Sequence, residues 1–208
     1  MKKMLLLILI IFFLTGCSIL HKPQSTISTY NFGIQHSPLS EQLSKQPQPY
    51  RRSLLVSDAT APTWLDNTAI HYRLLYHNSA QSHAYANSRW IAAPATLLTQ
   101  QIRNRIVTNT HEQVIIDSSA AKADYSLQIE LDEFTQLFDT TNSSHVVVSI
   151  RVSLIERSSR KLLAQKDFSA KENAPSADAA GAVFALSSAS NKLIDELVSW
   201  LTLELPLA

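Results

Sequence analysis

Residues 124–134 read DYSLQIELDEF and residues 145–156 read HVVVSIRVSLIE. Each alternates with a period of two, the spacing of a strand that is dry on one face and wet on the other. Tyr125, Leu127, Ile129 and Leu131 fall on one face of the first segment. Ser126, Gln128, Glu130 and Asp132 fall on the other. Val146, Val148, Ile150, Val152 and Leu154 share a face of the second. KLLAQKDFSA (161–170), reached through the RSSR turn at 157–160, completes an antiparallel meander. Half-buried strands of this kind need a cover for their apolar face, and the neighbouring sequence supplies two helices.

One is opened by Pro94, at the helical position where a missing N–H costs nothing. Leu97, Leu98, Ile102, Ile106 and Val107 form its apolar stripe. The other spans 177–204, with Val183, Leu186, Leu193, Ile194, Leu197 and Leu201 facing inward, and Pro206 bars its continuation. Shorter strand signals lie at 27–33, 51–59, 69–77, 84–91 and 113–117, while 34–50, with three prolines, reads as a loop. Strands, a helix, more strands and a helix predict an α+β fold: a mixed, largely antiparallel sheet with two main helices packed on one face.

The N-terminus carries a separate message. Met1-Lys2-Lys3 precedes an apolar run from Met4 to Leu14, too short for a stable membrane span and of signal-peptide length. Leu14-Thr15-Gly16-Cys17 follows, with the only cysteine of the chain. One cysteine makes neither an internal disulfide nor a thiolate metal site. The segment resembles the lipobox of bacterial lipoproteins, which implies cleavage after Gly16 and acylation of Cys17. Two or more acyl chains make such attachment close to permanent. Ser18 stands where lipoproteins retained at the inner membrane typically carry Asp, so the resemblance implies the periplasmic face of the outer membrane. The expected organisation is a signal peptide at 1–16, a lipidated tether at 17–28 and one domain at 29–208.

Without residues 1–16 the chain holds 16 basic and 17 acidic residues, a formal net charge of −1. That balance gives no reason to expect nucleic acid. Only Gly33 and Gly181 remain, too few for a phosphate-cradling loop, and no Gly-x-Ser-x-Gly elbow is present. His71, His77, His83, His111 and His145 make no i, i+4 pair and join no cysteine, so neither a metal nor another cofactor is expected. Asp132-Glu133 and Asp195-Glu196 read as solvated pairs.

Leu65, then Ile70-x-Tyr72-Arg73, Tyr85, Arg89-Trp90 and Pro94 form a pattern within residues 54–98 that resembles the ABC-type transport auxiliary lipoproteins, the paraquat-inducible protein C-like family. Ala93 departs from the paired proline often found there. The resemblance implies a non-enzymatic component of an intermembrane lipid transport system. It would work with a periplasm-spanning MCE-type protein and dock the transport tunnel at the outer membrane, with self-association left open. A structural lipoprotein of another envelope assembly or secretion complex is the alternative. Tyr85, Arg89 and Trp90 are the candidate partner-binding residues. Each also has a structural reading: the aromatics as fold anchors, and Arg73 and Arg89 as members of ion pairs on the sheet.

Overall fold

The computed structural model describes residues 26–32, 52–110, 112–117, 119 and 121–206. Cys17, the segment before it, the 34–50 loop and His111 lie outside the described residues. The elements run β1 (Ser28–Tyr30), β2 (Ser53–Val56), β3 (Ala69–Leu74), β4 (Asn78–Trp90), α1 (Pro94–Asn109), β5 (Gln113–Ile115), β6 (Tyr125–Phe138), β7 (Ser144–Glu156), β8 (Lys161–Asn173) and α2 (Ala179–Glu204).

β6 organises the sheet. Antiparallel β7 pairs along its length, and β8 pairs with β7 in the expected meander. The other edge of β6 is shared end to end. β2 runs parallel to its beginning, with Leu54 beside Tyr125, and β3 runs parallel to its end, with Tyr72 beside Gln136. Between the two, Thr60 bridges Glu130, after which the chain turns at Pro62–Leu65 and buries Leu65. β4 pairs antiparallel with β3, β1 parallel with β4, and β5 parallel with β2. The sheet is therefore mixed, and its longest ladders are antiparallel.

Strict alternation predicts Leu131 on the dry face and Phe134 on the wet one. A register shift between Leu131 and Glu133 leaves Asp132 exposed and brings Phe134 onto the dry face. This is the effect of a β-bulge, which inverts the facing of everything beyond it. Leu127, Ile129, Leu131 and Phe134 then join Val148, Ile150, Val152 and Phe168 beneath the helices. Leu98, Ile102 and Ile106 of α1 and Leu186, Leu193, Leu197 and Leu201 of α2 close the same core. Two expected positions differ. Val107 is exposed, because α1 is covered on one side only and this residue falls past the edge of the stripe, and Val183 is half-buried.

Local chemistry sets the ends of α2. The Asp178 carboxylate accepts from the Gly181 N–H at 2.8 Å and from Ser176 Oγ at 2.7 Å. These bonds hold its carboxyl below the usual carboxylate range, the Gly181 amide contributing most. The same turn crosses so near the helix that a Cβ on Gly181 would lie 2.1 Å from the Ser176 carbonyl oxygen, so the position admits glycine alone. At the other end of the molecule, buried Glu112 receives the Arg52 guanidinium at 2.7 Å, and Arg52 also donates to the Pro206 carbonyl. That pairing ties the start of β2 to the residue before β5 and to Pro206, past the end of α2.

Candidate functional site

The strip expected to meet a partner is the β3–β4 hairpin and the start of α1. Tyr85 and Trp90 are five apart, and in a regular strand they would point to opposite faces. The pairing Ala69↔Arg89 followed by His71↔Ala84 shows β4 spending extra residues there, and this irregularity turns both aromatics inward.

Trp90 is 1% exposed, with ring centroids 5.1 Å from Phe32 and 5.7 Å from Phe134. It belongs to the core and offers a partner nothing, because its ring is enclosed where β1, β4 and β6 meet. Tyr85 is half-buried. Its hydroxyl donates to Gln136 Oε1 at 2.6 Å, and Gln136 Nε2 donates to Ser144 Oγ at 2.8 Å. Burial first, then Tyr72 and Asp178 nearby, push its phenol well above the ordinary tyrosine range, so it stays a donor. Tyr72 lies 4.8 Å from Tyr85 and 5.1 Å from His83. These rings and the buried amide lock the hairpin to β6. Of the three candidates, Arg89 alone is exposed, and among the described residues it has no ion pair.

Trp90 turning inward leaves Arg89 on the opposite face of the sheet, beside Ala69. That face carries a shallow cavity of about 440 Å³ with Trp64, His71 and Arg73 as its walls and Ala80, Ser82 and Ala84 among its lining. Trp64 is 39% exposed. The Arg73 guanidinium sits 5.7 Å above its ring and 3.6 Å from the Glu133 carboxylate, so the ion-pair reading holds for Arg73 and Glu133 is not a solvated partner of Asp132. His71 meets Trp64 edge-on at 5.7 Å, and its Nε2 is buried without a hydrogen-bond partner among the described residues. Trp64 escaped sequence reasoning because TWLD carries no periodicity; only the turn before β3 folds it against the strand.

Burial, aided by Arg73, lowers the His71 pKa below 6.5, against the opposing pull of a backbone bond at His83. In this state the unfolded chain binds the proton more readily than the folded one. Stability is therefore expected to be highest above pH 6.5 and to fall as the solution is acidified through it. Melting curves across pH 5 to 8 check this, and His71→Gln should flatten the part of the slope that His71 contributes.

Among the described residues the one His–carboxylate pair is His145 Nδ1 with Asp139 at 2.8 Å, and no serine hydroxyl is bonded to that imidazole. Among those residues no three His, Cys, Asp or Glu side chains are grouped to hold a metal ion. The arrangement leaves an exposed arginine and an aromatic groove on one face of the sheet.

The profile of the ABC-type transport auxiliary lipoprotein component family matches residues 32–198. The chain belongs to that family. A prokaryotic membrane lipoprotein attachment site matches residues 1–18, so this transport auxiliary lipoprotein is a lipid-anchored membrane lipoprotein with Cys17 as the cysteine of that segment. No curated protein matches it. Among solved structures, a protein of Xanthomonas campestris aligns at TM-score 0.66 with 19% identity over 76% of this chain and 90% of its own. An uncharacterised protein aligns at 0.64 with 15% identity over 85% and 99%. A hypothetical protein of Chlamydia trachomatis aligns at 0.52 with 12% identity over 74% and 97%. These similarities concern the fold.

Proposed function

We propose that this auxiliary lipoprotein is anchored by Cys17 to the periplasmic face of the outer membrane and docks the outer end of an MCE/ABC-type lipid transport system. The family match over residues 32–198 carries the reading. Ser18 after the lipid attachment site supports the outer membrane, and a tether of residues 18–28 reaches at most ~35 Å. The body then stays close to one leaflet while presenting its sheet to a periplasm-spanning partner. It acts by binding and not by catalysis.

Within this reading the partner meets the face of β3 and β4 that carries Arg89 and the Trp64 groove. Trp and Arg are the side chains most enriched at interface centres, and here both sit on a strand scaffold that needs little ordering on binding. Tyr85 and Trp90 serve the same surface indirectly by fixing β4.

Two experiments test this. Cys17→Ser removes the acylation site, so the variant is expected to remain unprocessed and to be absent from outer-membrane fractions; normal cleavage and fractionation would refute the anchor. Affinity capture of the full-length protein from solubilised envelope should recover an MCE-type protein. Recovery of an assembly or secretion complex in its place favours the alternative role.

A further inference from the structure

β8 ends the sheet. Among the described residues it pairs with β7 alone, leaving a 13-residue strand with one free edge. Long free edges invite strand addition, and proteins usually blunt them with lysines. Lys161, Lys166 and Lys171 fit that defensive reading. The order of charges around them does not, because acidic residues stand beside two of the three.

The central stretch reads Lys166-Asp167-Phe168-Ser169-Ala170-Lys171-Glu172. Lys166, Phe168, Ala170 and Glu172 lie on the helix side, as shown by Phe168 against Trp200 and by Glu172 bonded to Lys192 of α2. Asp167, Ser169 and Lys171 lie on the other side, where Asp167 accepts from Arg151 at 2.8 Å. A second copy laid antiparallel along this edge, with Ser169 on the two-fold axis, sets Lys166 opposite Glu172, Asp167 opposite Lys171 and Phe168 opposite Ala170. Every charge then meets its opposite on the same face. Centring the pair on Phe168 sets Lys166 against Ala170, and centring it on Ala170 sets Phe168 against Glu172. One register alone is complementary throughout.

The monomer leaves half of each arrangement open. Asp167 and Glu172 each have an intramolecular cation, while Lys166 and Lys171 have no carboxylate partner among the described residues. Lys166 rests over the Phe168 ring at 4.9 Å. In the pair, each carboxylate lies between its own cation and one from the second copy, which is the favourable cross-strand arrangement.

We infer that β8 is a self-association edge, along which a second copy of this chain adds antiparallel about Ser169 to continue the sheet. The axis stands perpendicular to the sheet, so both helical layers lie on one side. A single strand pair is a small interface and forms a weak dimer in free solution. Anchoring by lipid confines both copies to one surface and raises their effective concentration.

The test uses the full-length lipidated protein in its own membrane. Cys17 is the only native cysteine and carries the lipid, so Ser169→Cys introduces the only free thiol. Mild oxidation is expected to yield a disulfide-linked dimer from Ser169→Cys and none from Ser158→Cys, in the turn before β8. In the Ser169→Cys background, Lys166→Glu faces Glu172 of the second copy at two symmetric places and should weaken association roughly tenfold. Its melting temperature should barely change, because Lys166 is exposed. Adding Glu172→Lys should restore the dimer. The inference is overturned by an accessible thiol at 169 that forms no dimer, by a yield indifferent to Lys166→Glu, by failure of the double exchange to recover it, or by crosslinking to a different protein. None of these outcomes depends on which transport partner docks on the face around Arg89.

Discussion

Ile150→Asp is expected to bring the fold close to global unfolding. Ile150 is fully buried, paired with Leu131 on one side and Phe168 on the other, in the core that α2 closes. A carboxylate there finds no cation and no water, and the cost is several kcal/mol, on the order of the whole stability of a domain of this size. The neighbouring residue gives the control. Ser149 points to the opposite face, between Glu133 and Ser169. Asp at that position meets the like charge of Glu133 and should cost no more than about 1 kcal/mol, and Ser149→Lys should cost less still. Urea unfolding followed by circular dichroism separates the cases. Equal losses at 149 and 150 would mean that the sheet is buried on both faces.

Trp90→Ala should cost about 3–5 kcal/mol, the usual range for emptying a buried aromatic site. Its ring joins Phe32 to Phe134, so the cavity would open where β1, β4 and β6 converge. The indole Nε1 has no hydrogen-bond partner among the described residues, so Trp90→Phe forfeits no bond and should be much milder. Arg89→Ala, one residue away, should leave the melting temperature nearly unchanged and weaken partner capture by about 1 kcal/mol or more. Thermal melts and binding measured on the same three variants check both halves. A large melting loss for Arg89→Ala, or unchanged binding, would remove the arginine from the proposed surface.

The adjacency of these two residues shows where the sequence stops being legible. Arg89-Trp90 stands out as a motif, yet nothing local says which of the two faces water. That depends on the extra residues β4 accommodates between its pairings to His71 and Ala69, which are properties of the partner strand. Arg73 is similar. Its ion pair with Glu133 requires β3 to lie beside the far end of β6, some sixty residues away in the chain. Trp64, in a turn with no repeating pattern, becomes a groove wall only once the chain from β2 to β3 has been laid along one edge.

By itself the sequence determined the lipid attachment segment, the α+β class, the meander of β6, β7 and β8, and the two helices with most of their buried stripes. Those features follow from short-range periodicities, two along a strand and 3.6 around a helix, and from Pro94 and Pro206, all of which act within a few residues. Tertiary structure alone decided that β2 and β3 share one edge of β6, that Phe134, Tyr85 and Trp90 turn inward, and that β8 has one edge unpaired among the described residues. Each of these depends on register between distant strands, and a bulge of one residue reverses every facing beyond it, so the side chain's neighbours across the sheet decide what its neighbours in the chain leave open.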